Sequence, residues 1–155
     1  MKAVHFELPL NSELFEDIRI VPGHPYLYYT LYELPLPGLL KGDMVQVSGQ
    51  CAATNNYPKN VMFAHAVVMR PALAVDNPQL GRPLGVVLPC DYAGENITPG
   101  NHHTVRSFSG IKVVQHDGDW WLSLIVYAAS SAAKKGWTLK MDKGGSLCAL
   151  VFRND

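Results

Sequence analysis

The stretch "ENITPGNHHTVRSFSG", residues 95 to 110, sets His102 beside His103 in a run of turn-forming residues. Adjacent imidazoles can ligate a metal, act as a base, contact a sugar or sit idle at a polar tip. On an extended strand, neighbours point to opposite faces, so one ion could not hold both. In a loop they could converge, but a closed site also needs third and fourth ligands. No Asp or Glu follows until Asp117, and there is no His-x-His pair of the kind a cupin metal centre uses. His65 shares a strand face with Val61, Phe63, Val67 and Met69, the setting of a core or interface histidine. No metal and no cofactor are expected.

Nucleophilic catalysis finds little support. There is no Gly-x-Ser-x-Gly elbow, and Ser107, Ser109, Ser130 and Ser131 could act only beside a histidine and an acid. Cys90 precedes Asp91 in "LPCDYAGEN", which reads as a loop with no cation or helix N-terminus to activate a thiol. Asp91 and Glu95 fall in that same stretch, and Asp117 and Asp119 flank a turn. A glycosidase takes its carboxylates from separated strands across a cleft, whereas turn aspartates cap backbone amides. "DKGGS" is glycine-rich but opens no helix, so it offers no dipole to a phosphate. No enzyme is expected, a small cupin-like metal enzyme being the least favoured alternative. Binding chemistry is better supplied. Trp120 and Trp137 could stack on sugar rings, with Asn101, His102 and His103 as loop-tip polar contacts. Because Trp120-Trp121 opens a strand, one of those two rings should face the core.

The elements that must position these residues are strands. The chain has 155 residues, enough for one domain with a substantial core. Eleven prolines and thirteen glycines leave few gaps that would hold a long helix. "NSELFEDI" (11 to 18) could make a short helical turn capped by Asn11 or Ser12. "YLYYTLYEL" (26 to 34), "DMVQVSGQC" (43 to 51), "NVMFAHAVVMR" (60 to 70) and "LGVVLPC" (84 to 90) read as strands, the third apolar on both faces. "IKVVQHDGDWWLSLIVYA" reads as a hairpin turning at Asp117-Gly118, and "WTLKMDKGGSLCALVF" as a second turning between Asp142 and Gly145. About eight strands without crossover helices mean an all-β sandwich or barrel. Residues 1 to 25 are the least patterned and are expected to form an arm; 26 to 155 form the sandwich.

Charge narrows the partners. Thirteen basic residues balance thirteen acidic ones, so long-range attraction to nucleic acid is not expected. Apolar residues make up 48% and charged ones 17%. That charged share is below the usual ~25%, so either the core is large or part of the surface is covered by another chain. Cys51, Cys90 and Cys148 show neither CxxC spacing nor an even count, which argues against a disulfide framework or zinc knuckle. No run is long and apolar enough for membrane insertion, and "MKAVHFELPL" does not read as a signal peptide. Synthesis in a reducing cytoplasm is expected.

In order and style, "VQVSGQCAATN", "SGIKVVQHDGDWWLSLIVYAASS" and "WTLKMDKGGSLCALVF" resemble jelly-roll heads of the tumour-necrosis-factor and C1q kind. Bacteriophage fibre heads and capsid decoration proteins look similar. The resemblance spans roughly residues 26 to 153 and implies a jelly-roll β-sandwich that forms a homotrimer, with a structural or adhesive role on a virion surface. Its expected partners are copies of itself and a capsid or other virion protein. A carbohydrate-binding, lectin-like module directed at a host-surface glycan is the alternative.

Overall fold

Alternation builds the strands. In β4 (Met44–Thr54), Val45, Val47, Cys51 and Ala53 are buried, while Met44, Gln46, Ser48 and Gln50 point outward. The computed structural model describes residues 2–7, 17–22, 29–71, 88–101, 104–142 and 145–153, with backbone alone at 88–92. Among these residues there is no helix. The other strands are β1 (Lys2–Glu7), β2 (Ile18–Val21), β3 (Tyr29–Leu39), β5 (Val61–Pro71), β6 (Leu88–Ile97), β7 (Thr104–Val113), β8 (Gly118–Ala129), β9 (Thr138–Met141) and β10 (Ser146–Arg153).

Their pairing is nested. β1 pairs β10, β3 pairs β8, β4 pairs β7 and β5 pairs β6, all antiparallel. That is the pattern of one long two-stranded ribbon, with its tip between β5 and β6, rolled up on itself. The ladders β10·β4 and β8·β5 close the roll. Two sheets result, β1-β10-β4-β7 and β3-β8-β5-β6, and they form a jelly-roll sandwich. The two four-residue strands stitch the sheets together. β9 continues the edge of β4 that β10 occupies, β2 continues the edge of β8 that β3 occupies, and β2 pairs β9. Residues 2–7 and 18–21, inside the segment expected to be an arm, therefore supply β1 and β2.

The core lies between the sheets. Phe63, Val67 and Met69 of β5 and Leu122, Leu124 and Val126 of β8 face Val45, Val47, Leu147 and Ala149 of the opposite sheet. Burial of such side chains stabilises by about 25 cal/mol per Å² of apolar surface. The outer faces differ. Ser123, Ile125 and Tyr127 alternate with the core residues of β8 and are still at most 4% exposed, so the middle of the β3-β8-β5-β6 sheet is covered on both sides. β5 is buried on both faces, as its composition predicts. β10 is less enclosed than its apolar pattern predicts: Cys148, Leu150 and Phe152 are only half-buried on its outer side.

Neither expected hairpin forms. Gly118 has the positive φ, +144°, that the turn chemistry asks for. Yet β7 and β8 diverge into different sheets, pairing β4 and β3. Residues 114–117 make a corner, held by Val114 N–H donating to Asp43 O at 2.8 Å and Gly42 N–H to Val114 O at 2.9 Å. β9 and β10 do not fold back on each other either. Both run antiparallel along β4, with Met141 opposite Ala53 and Ser146 opposite Gln50, so they follow the same edge of β4 one after the other. Cys90, Asp91 and Glu95, expected in a loop, lie in β6. The helical turn expected at 11 to 18 falls outside the described residues except at its end, where Ile18 begins β2.

Candidate functional site

The connections at one end of the sandwich, residues 55–60, 98–101 and 130–137, carry the residues whose chemistry could engage a partner. Asn55 organises them. It is fully buried, its amide donates to Lys59 O at 2.8 Å and Ile97 O at 2.9 Å, and its Oδ1 accepts the Tyr57 N–H at 3.0 Å. Its backbone N–H donates to Asn101 O, and its carbonyl accepts from Gly100 N–H, both at 3.1 Å. Gly100, at φ +72°, makes the turn possible. Tyr57 then stacks on Trp137 with ring centroids 4.2 Å apart, and its hydroxyl accepts the Thr138 N–H at 3.1 Å. A hollow of about 360 Å³ opens alongside, lined by Lys59, Asn60, Pro99 and Ser130 among others.

Asn101 and Trp137 thus come to one end, linked through Asn55 and Tyr57. Asn101 is exposed; Trp137 is half-buried, with one ring face taken by Tyr57. Trp120 is elsewhere. It starts β8 at the opposite end and is the ring of its pair that faces the core, 1% exposed. Its indole N–H donates to His116 O at 3.3 Å, and its ring stacks on the His116 imidazole at 4.7 Å. One ligand cannot span Trp120 and Trp137. His102 and His103 lie outside the described residues.

Several other described groups are committed to the scaffold. The Asp117 and Asp119 carboxylates accept the backbone N–H groups of Lys41 and Gly38, at 2.7 and 2.8 Å. Glu95 pairs with Arg106 at 3.0 Å. His65 is buried against the Phe108 ring, with centroids 5.5 Å apart. Burial pushes the Cys51 thiol up to about 12, so it is protonated and inert. The Cys148 sulfur shares a 2.8 Å hydrogen bond with the Ser48 hydroxyl. Among the described residues, no three His, Cys, Asp or Glu side chains group to hold a metal ion, and no helix is long and apolar enough to cross a membrane.

Three polar clusters were not singled out from the sequence. Asp43 is buried and accepts from Arg153 Nη2 at 2.6 Å and from Leu40 N–H at 2.8 Å. Arg70 is buried between Ser123, whose Oγ accepts its Nε–H at 3.2 Å, and the Glu33 carboxylate. The Thr54 hydroxyl donates to the Asp142 carboxylate at 2.8 Å, with both residues buried. Each joins two side chains at least 37 positions apart, and no local pattern announces those pairs.

No family model matches the chain, and no curated protein matches it. Solved structures do. The chain is similar to infectious bursal disease virus, Gx strain, with a TM-score of 0.61 and 10% identity over 97% of this chain and 33% of that one. It is similar to the crystal structure of the VP2 subviral particle of the same virus, with a TM-score of 0.60 and 10% identity over 96% of this chain and 32% of that one. A T13 particle of that virus matches with a TM-score of 0.56 and 12% identity, over 96% and 30%. The chain spans about a third of the length of these proteins. At such identities the likeness is one of fold. It carries the jelly roll, and not specifically its tumour-necrosis-factor or C1q version.

Proposed function

We propose that this protein is a non-enzymatic structural component of a virion that associates with copies of itself, as a capsid decoration (cement) protein or, as the second form, a fibre head. The observation that carries this is the nested jelly roll, matched over nearly the whole chain by subunits of virus particles. The scaffold suits the role. Asp117 and Asp119 cap backbone amides, Glu33, Asp43 and Glu95 pair with arginines, the described cysteines are buried or hydrogen-bonded, and long-range hydrogen bonds tie both ends of the sandwich. The work is passive: a rigid body holds neighbouring subunits in place. A homotrimer is the expected state, and the virion surface the expected location. Light scattering on the purified chain tests this. A mass of three times 17.1 kDa is expected, and a monomer at every concentration would remove the proposal's footing.

Half-exposed Trp137 beside Asn101 favours a second reading, a glycan-binding head. A glycan array together with tryptophan fluorescence during sugar titration decides it. Quenching that is lost in Trp137→Ala supports sugar binding, and an unresponsive array leaves the structural role alone.

A further inference from the structure

The outer face of the β1-β10-β4-β7 sheet differs from the rest of the surface. Register places Val113, Met44 and Phe152 side by side across it, and Ile111, Gln46 and Leu150 in the next row. Ile111 is 57% exposed, Val113 54% and Met44 41%. Farther along, the same face carries Ser109, Ser48 and Cys148, then Ser107, Gln50 and Ser146. No outward residue of β4, β7 or β10 is charged. The nearest charge on this face is Glu7, on the flanking strand β1, where His5 also lies. The opposite sheet covers the outer side of its central strand β8 within the chain; this face has no such cover.

We infer that this face is where copies of the chain meet. The inference rests on the self-association proposed above and names the surface responsible. Two properties favour a second copy over an unrelated partner. Over β4, β7 and β10 the face can meet a second copy without burying an unpaired charge. An uncharged face also gives a different protein no ionic group to be steered or selected by. The area is adequate. The four strands of the face, 6, 8, 11 and 10 residues long, lie ~4.8 Å apart with ~3.3 Å per residue and span roughly 550 Å² in projection. Side-chain relief adds to that, in the direction of the ~800 Å² per partner of a standard stable interface. Burying it would also account for a chain with only 17% charged residues.

The test is the mass of the full chain and its variants by light scattering at one concentration, with circular dichroism and thermal melting as fold checks. Ile111→Glu and Gln46→Lys each place a charge at an exposed position of the face. Lys135→Glu changes charge on an exposed loop instead. The expected result is an oligomer for the wild type and for Lys135→Glu, with both face variants folded and reduced to 17.1 kDa. Two separate variants guard against one failing to fold. An oligomer that survives both substitutions would overturn this face while leaving self-association intact. A wild-type monomer would overturn both.

Discussion

Phe108 lies across Gly49. The two are register partners on β7 and β4, and a Cβ at position 49 would stand 2.7 Å from ring atoms Cε2 and Cζ of Phe108. It would also collide with the carbonyl of Ser146 on β10. The missing side chain lets the ring seal that part of the sandwich. Gly49→Ala therefore forces the ring or the β10 backbone to shift. A loss of about 1–3 kcal/mol, the usual cost of overpacking, is expected in urea unfolding.

Asn55 satisfies three backbone groups in the loop end with one side chain. Asn55→Ala leaves the Lys59 and Ile97 carbonyls and the Tyr57 amide without those bonds. Each group that stays dry costs about 1–3 kcal/mol. A drop of at least ~2 kcal/mol in unfolding free energy is expected. Hydrogen exchange should speed up at residues 55–60 and 98–101 before it does in β5 or β8.

The Asp43 carboxyl is held below the usual carboxylate range. Hydrogen bonds from Arg153 lower it, burial opposes them, and the Leu40 N–H adds to the lowering. A depressed folded-state value stabilises the fold at pH above the ordinary carboxylate value of about 3.9. That contribution is lost as pH falls through the folded value. Asp43→Asn should lower the melting temperature at pH 7 and flatten its decline below about pH 4. An acid limb as steep as that of the wild type would show that Asp43 does not supply it.

Cys51 is sealed in the core, with a thiol pushed up to about 12 by burial. In native protein at pH 8, iodoacetamide should leave it unmodified for hours and label it promptly after unfolding. Peptide mass spectrometry reads both states. Fast native labelling of Cys51 would mean that the sandwich opens far more readily than its packing implies.

Local chemistry determined much of this protein in advance. Alternation in "MVQVSGQC" set which side chains of β4 are buried, because successive residues of a strand point to opposite faces wherever the chain is extended. The doubly apolar "VMFAHAVVM" marked a strand buried on both faces, and Asp117-Gly118 marked the break between two strands but not the kind of connection. The pairing of strands was decided by the tertiary structure. Asp117-Gly118 has the chemistry of a hairpin turn, but a turn fixes only the local backbone. The corner bonds among Gly42, Asp43 and Val114 send β8 into the opposite sheet. The site divided in the same way. Aromatic and amide residues were legible as binding groups, but only the roll of the chain brought Asn101 and Trp137 to one end and sank Trp120 into the core at the other. The uncharged face is likewise a tertiary fact, because residues from three separate stretches form it only once β7, β4 and β10 stand side by side.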